Sequence, residues 1–274
     1  MVPDHHKGYR QLKQFLEEHR PPAIAFSGGS DSAFLVWAAR QVLGEDMHAY
    51  TFDTPYMNHA EIGEAAAFCE RYGIPHTILP LPMPEELRHN PRDRCYLCKL
   101  ILFSHLKKKA EYDGFCCVME GTVIDDLDEY RPGRKAINKL NILSPLAEAG
   151  LSKKEIRLLS KEAGLPTWDK PSNACLLTRI PYAQKVTDKM LKRIEQAETL
   201  LREEGFEVVR VRTHGTLARI ELDPEEMEKI LREEMRKKIT GRLKELGYTF
   251  VTVDMDGFSS GSYDTANKKQ NHGS

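Results

Sequence analysis

The sequence is short of cysteine, of excess charge and of long apolar runs, and each shortage closes off a class of protein. Six cysteines among 274 residues are far too few for a disulfide scaffold, which leaves them as core fillers, metal ligands or nucleophiles in a reducing compartment. With 40 Lys and Arg against 41 Asp and Glu the formal charge is −1, so the chain is not a polybasic protein that holds nucleic acid by bulk charge, although local basic patches remain open. No stretch reaches the roughly 18 to 20 uninterrupted apolar residues of a membrane span. Met1 to Arg20 carries Asp, Glu, His and Lys where a signal peptide needs an apolar centre, so no leader is expected. Hydrophobic residues make up 41% and charged residues 30%, with a mean hydropathy of −0.50, which is too apolar for a disordered chain and too polar for a membrane one. A cytoplasmic globular protein is expected.

What the chain does contain is a regular alternation. A strand at Ala23–Phe26 lies between Pro21-Pro22 and Gly28-Gly29, and a helical run follows from Ser32 to Leu43. Strands at His48–Phe52, His76–Leu79, Phe115–Met119 and Ile142–Ser144 then alternate with helices at Asn58–Tyr72, Cys98–Tyr112 and Lys153–Ala163. That order implies parallel crossovers and an α/β doubly wound parallel sheet over residues 1–165. Pro166, Pro171 and Pro181 punctuate residues 166–186, which read as a functional loop or linker. Residues 187–267 read as a smaller α+β domain with a helix from Thr187, two strands meeting at His214-Gly215, a charged helical stretch from Pro224 to Leu246 and a strand at Thr249–Asp254, the sheet being small and antiparallel. The tail 268–274 is expected to be disordered from its composition.

S-G-G-S-D-S at Ser27, Gly28, Gly29, Ser30, Asp31 and Ser32 sits between the first strand and a helix. Two glycines let several N–H groups turn into one concavity, and the helix N-terminus behind them adds about half a positive charge. This is an anion site, and it is neither a Walker loop nor a dinucleotide fingerprint. A plain Gly-Gly turn with Ser30 or Asp31 serving only as a helix cap is the alternative. The motif resembles the pyrophosphate loop (PP-loop) of the adenine nucleotide alpha hydrolase superfamily, whose members cleave ATP between the α and β phosphates and adenylate a substrate. The resemblance implies that the loop holds pyrophosphate, that Asp31 helps to bind Mg2+, and that Asp53, at the end of the second strand, lies near the nucleotide.

Cys95 and Cys98 form R-C-Y-L-C-K, a C-x-x-C spacing suited to a metal or cluster. With no second C-x-x-C, a four-thiolate zinc is not expected, and Cys69, Cys116 and Cys117 read as small buried hydrophobes. Cys175 stands in a Pro-bounded loop with Lys170 and Arg179 nearby to stabilise a thiolate. Its surroundings, P-S-N-A-C-L-L-T-R-I-P-Y, together with G-T-V-I-D-D from Gly121, Y-R-P-G at Tyr130–Gly133, H-G-T-L-A-R-I-E at His214–Glu221 and S-G-S at Ser260–Ser262, resemble the LarE family across most of the chain. Thr178 where Ser is usual, Ala183 where Gly often follows the Tyr, and Tyr263-Asp264 after S-G-S depart from the family pattern and bear on substrate detail more than on reaction type.

The resemblance implies an ATP-dependent sulfur transferase that adenylates a carboxylate of pyridinium-3,5-dicarboxylate mononucleotide and turns it into a thiocarboxylate, a step toward a nickel-pincer nucleotide. In the family the cysteine matching Cys175 carries the sulfur. One subset surrenders that side-chain sulfur, and another holds a 4Fe-4S cluster with the cysteines matching Cys95, Cys98 and Cys175; the cluster is the favoured expectation here, with both sources open. Arg210 and Arg212 alternate along V-V-R-V-R-T-H-G and so share one strand face, suited to an anion or to plain solvation. The resemblance assigns them, with Glu198, to the substrate phosphate, and adds Gly121 to the nucleotide site and Asp31, Cys175 and Arg179 to catalysis. ATP, Mg2+, a sulfide donor and a homo-oligomeric state are expected. A tRNA thiolase shares the loop and the cysteine logic, but the charge of −1 and the lack of an RNA module weigh against nucleic acid. A regulator that keeps the nucleotide fold without turnover would not need Asp31 and Cys175.

Overall fold

A computed structural model of the chain describes residues 6–128, 132–171 and 173–258. Tyr130 and Arg131 of Y-R-P-G, the S-G-S segment and the tail 268–274 lie outside the described residues. The chain divides into two compact units: residues 1–87 with 93–173, and residues 88–92 with 174–274. The division falls inside the 166–186 segment, and the five residues 88–92 join the second unit from far upstream.

The first unit runs α1 (Lys7–Glu18), β1 (Pro22–Ala25), α2 (Ser30–Leu43), β2 (His48–Asp53), α3 (His59–Tyr72), β3 (His76–Pro80), α4 (Arg94–Tyr112), β4 (Cys117–Met119), α5 (Asp125–Asp128), α6 (Pro132–Lys139), α7 (Pro145–Glu148) and α8 (Lys153–Glu162). Its four strands are parallel in the order β3-β2-β1-β4. Alternate strand residues feed two cores. Ile24, Phe26, Ala49 and Met119 pack with α1, α2, α3 and α8, while Ala23, Tyr50, Phe52 and Val118 pack with α4 and α6. Both faces are therefore covered, as a doubly wound parallel sheet requires, and α2 is buried from Ser32 through Ala39. The order also fixes where a ligand goes. The chain steps outward from β1 to β2 and β3, then returns to the other side of β1 as β4, so the switch point lies beyond the carboxyl ends of β1 and β4.

Several local expectations shift. The C-x-x-C segment is helical, because α4 begins at Arg94 directly after Asp93 and not at Cys98. Ile142–Ser144 forms no strand; Leu143 makes a single parallel bridge to Met119. Cys69 is buried, but Cys116 is exposed and precedes β4, and Cys117 is half-buried, since the strand is only three residues long.

The second unit contains α9 (Asp188–Glu203), β5 (Val209–His214), β6 (Leu217–Leu222), α10 (Met227–Leu231), α11 (Glu233–Glu245) and β7 (Phe250–Val253). Its sheet is mixed and not antiparallel: β5 and β6 form a hairpin, but β7 runs parallel to β6. Parallel neighbours need a crossover, and the charged stretch after Pro224 supplies it as α10 and α11, which bury Ile230, Ile239 and Leu243 under an exposed charged face. No helix among the described residues is long and apolar enough to cross a membrane.

Candidate active site

The loop Ser27–Ser32 leaves β1 at the switch point and enters α2. Gly28 sits at φ +75°, a left-handed backbone, with the position of a Cβ only 3.3 Å from Ala65 Cβ and from the Glu61 carbonyl, so conformation and packing both demand glycine. Gly29 is the N-cap of α2 and caps with no side chain, which sets aside Ser30 or Asp31 as a mere cap and leaves the first-turn N–H groups available to an anion. A Cβ on Gly29 would meet only Ser27 Oγ, at 3.6 Å, so the fold itself does not require glycine there. Ser27 and Ser32 hydroxyls bond at 3.1 Å, Ser32 also donates to the Gly29 carbonyl, and the buried Ser30 hydroxyl has no partner.

Around this loop, Gly121 follows β4 so closely that a Cβ would lie 3.1 Å from both Cα and N of Ser32. Asp53, at the end of β2, is half-buried with Oδ1 3.7 Å from His59 Nε2, and Asp31 stands half-buried in the first turn of α2. Lys170, first read as a partner of the Cys175 thiolate, places its amine 2.9 Å from the Gly28 carbonyl and 2.7 Å from Glu64. A cavity of about 320 Å³ lies against Gly28 and Lys170, walled by Phe26 and Phe68, within the size range of small-molecule pockets.

Cys95 and Cys98 lie one turn apart on the first turns of α4, on one helix face. Cys95 is exposed and Cys98 half-buried, and the hydroxyl of the fully buried Tyr56 lies 3.4 Å from Cys98 Sγ. Sequence reasoning missed Tyr56, because only the fold brings the segment after β2 against α4. None of the six cysteines is in a disulfide, and among the described residues no three His, Cys, Asp or Glu side chains gather as for a metal ion.

In the second unit, half-buried Cys175 immediately precedes the 3-10 turn Leu176–Arg179. The loop is held by two buried side chains. Asn90, at φ +43° where asparagine is tolerated, donates its amide to the carbonyls of Leu177, Ile180 and Pro181. Arg179, 1% exposed, makes a two-pronged pair with Glu198 at 2.8 and 3.1 Å and donates to the carbonyls of Ala174 and Cys175 and to Thr178 Oγ1. It thus grips the backbone around Cys175. Asn90 carried no local signal, since its partners lie some ninety residues downstream.

Glu198 and Glu221 each bridge two arginines. Glu198 also binds Arg202 and the N–H of Val211, and Glu221 takes a two-pronged pair from Arg212 at 2.9 and 2.8 Å plus a bond from Arg219. Burial opposes the charge on Glu198, but Arg179 and the Val211 N–H outweigh it and hold the carboxyl below the usual range. Arg210 and Arg212 do share a face, yet that face is buried, at 7% and 5% exposure, so simple solvation does not account for them. Burial, then the nearby Arg179, lower the Arg210 guanidinium to about 10: it is a cation among cations, relieved only in part by Glu198. Its guanidinium carbon lies 5.0 Å from the centre of the Phe258 ring.

A glycine loop with an uncapped helix N-terminus at the switch point of a parallel sheet, joined to a smaller mixed unit, defines the PP-loop, Rossmann-like class of α/β protein. No family model matches the chain. It is 37% identical over 252 residues to an uncharacterized protein of Synechocystis sp., spanning 91% of this chain and 94% of that one. It is 32% identical over 259 residues to the pyridinium-3,5-bisthiocarboxylic acid mononucleotide synthase of Lactiplantibacillus plantarum, spanning 93% of each, and 30% identical over 253 residues to an uncharacterized protein of Methanocaldococcus jannaschii, spanning 91% of this chain and 96% of that one. The chain belongs to the LarE family.

Proposed function

We propose that this protein is an ATP-dependent sulfur transferase acting on a pyridinium-3,5-dicarboxylate mononucleotide in nickel-pincer nucleotide synthesis. The observation that carries the proposal is likeness over 93% of both chains to a relative named for the bisthiocarboxylic acid mononucleotide. The geometry of the loop supports it. The substrate carboxylate attacks the α-phosphorus of ATP, and the bond to the β-phosphate oxygen breaks. The N–H groups of α2 and the Ser30 hydroxyl take up the charge of departing pyrophosphate, and Asp31 would hold a Mg2+ ion that would supply further neutralisation of that charge. Activation is required because a carboxylate has no good leaving group, whereas the acyl adenylate can release AMP when sulfur attacks its carbonyl carbon. In the second unit Arg210 and Arg212 receive the anionic phosphate of the mononucleotide, whose charge relieves Arg210, and Glu198 and Arg179 act as positioning residues.

The donors Cys95, Cys98 and Cys175 suit an iron–sulfur cluster by softness, and the Tyr56 hydroxyl lies beside Cys98. Bound by three thiolates, a 4Fe-4S cluster would supply one iron without a protein ligand, open to an external sulfide. The alternative source is the Cys175 sulfur itself. Anaerobic iron and acid-labile sulfide analysis, with mass spectrometry of Cys175 after turnover, separates the two. Iron in the wild type, its loss in Cys95→Ala and Cys98→Ala, and repeated turnover with sulfide support the cluster; an iron-free, fully active Cys98→Ala protein refutes it. Loss of hydrogen sulfide mass from Cys175, with one event per site, shows the sacrificial route. For the function itself, thiocarboxylate formation on the mononucleotide is measured beside thiolation of bulk tRNA, and sulfur found only in tRNA overturns the proposal. Gly29→Val should abolish ATP binding in calorimetry while leaving circular dichroism intact.

A further inference from the structure

Cys116 and Cys117 take no part in the chemistry above, and their geometry differs from that of core-filling cysteines. Consecutive residues on a strand normally project to opposite sides. Here Cys116 stands just before β4, and the two Sγ atoms come within 3.5 Å of each other. Both also lie 3.3 Å from the carbonyl oxygen of His19, which follows α1. The arrangement is fixed by backbone on both sides: the Cys116 N–H donates to the Pro21 carbonyl at 2.9 Å, and Cys117 pairs in register with Pro22 of β1. Burial does not explain Cys116, which is exposed and gives solvent a path to the pair.

We propose that Cys116 and Cys117 form a two-sulfur site for a soft monovalent cation of the Cu(I) type. Thiolates select soft ions. A structural zinc takes four protein ligands, and among the described residues no third His, Cys, Asp or Glu joins this pair. An ion content with two sulfurs is what remains. In the thiol form one carbonyl accepts from both sulfurs; in the bound form that oxygen faces the cation between them. Two Cu–S bonds form, two S–H bonds break, two protons go to water, and no electron is transferred.

The test is anaerobic titration of Cu(I) against the chelator bathocuproine disulfonate. The full-length protein carries Cys95→Ser and Cys98→Ser, so that the other close pair cannot compete. It should retain one Cu(I) per chain. Adding Cys116→Ser, or separately Cys117→Ser, should weaken retention at least ten-fold with unchanged circular dichroism. Phenylarsine oxide offers a second readout, since a single arsenic bridging both sulfurs should appear on the peptide spanning residues 116–117 of the wild type. Equal copper retention with and without Cys116, or arsenic absent from that peptide, overturns the site.

Discussion

In the first unit the groups proposed to meet a ligand are backbone N–H groups at the end of an apolar sheet; in the second they are charged side chains inside the sheet. β1 reads Pro-Ala-Ile-Ala and offers nothing but its direction, and the loop after it leaves helix N–H groups and the Ser30 hydroxyl for something outside the protein. β5 carries Arg210 and Arg212 on a buried face, where Glu221 pairs with Arg212 and Glu198, held by Arg179, relieves Arg210 only in part. On the proposed reading the first site is completed by its ligand, and the second in larger part by the protein's own ion pairs. Substitutions in the first should therefore separate binding from stability, and those in the second should not.

The largest expected effect falls on the second unit. Arg179→Ala takes from the fully buried Glu198 its two-pronged partner and leaves it only Arg202 and the Val211 N–H, and removing one partner of a buried pair costs roughly 3 to 5 kcal/mol. Urea denaturation of the full chain should show this loss. Replacing both partners together, Arg179→Met with Glu198→Leu, should be milder than Arg179→Ala, because the fully buried carboxylate leaves with its two-pronged partner. A loss under about 1 kcal/mol in Arg179→Ala would break the comparison, since it would mean that the charges of the second unit are as dispensable to the fold as an empty ligand site.

A smaller effect follows from acid. The Glu198 carboxyl titrates lower in the folded protein than its ordinary 4.5. Its contribution is thus present above about pH 4.5 and is lost as pH falls through the folded value. The unfolding free energy of the wild type should drop more steeply below pH 4.5 than that of Glu198→Gln, measured by denaturation at each pH. Parallel slopes would remove Glu198 from the account.

How much of this was legible in the sequence follows the same division. Strand and helix alternation and the loop of the first unit depend on local signals, such as Gly28-Gly29 after an apolar run, and local signals can be read, whereas the strand order that places the switch point is not local. The second unit depends on contacts between distant residues. Nothing near Asn90 announces that its amide holds the loop after Cys175, and Arg210 and Arg212 look like an open cationic face until Glu221 is seen across the hairpin. The parallel placement of β7 was hidden for a related reason: a charged helical stretch has no feature saying whether the next strand returns beside β5 or β6. Cys116 misled because a cysteine beside an apolar strand reads as core, whereas the strand begins one residue later.

Two changes at the loop carry the smallest stability effects and test the first unit most closely. Gly121→Ala places a methyl 3.1 Å from the Ser32 backbone, so it should destabilise by about 1 to 3 kcal/mol and move the start of α2, weakening ATP as a by-product of strain. Ser30→Ala is different in kind. The hydroxyl is buried and unpartnered, so its removal breaks no bond within the protein, and stability should stay within about 0.5 kcal/mol of the wild type or rise. If the hydroxyl waits for a phosphate oxygen, ATP affinity in calorimetry should fall by about ten-fold, the effect of one hydrogen bond of roughly 1.4 kcal/mol. Unchanged affinity with unchanged stability would mean that Ser30 answers to neither the fold nor the nucleotide, and the contrast between a ligand-completed and a self-completed unit would lose its clearest support.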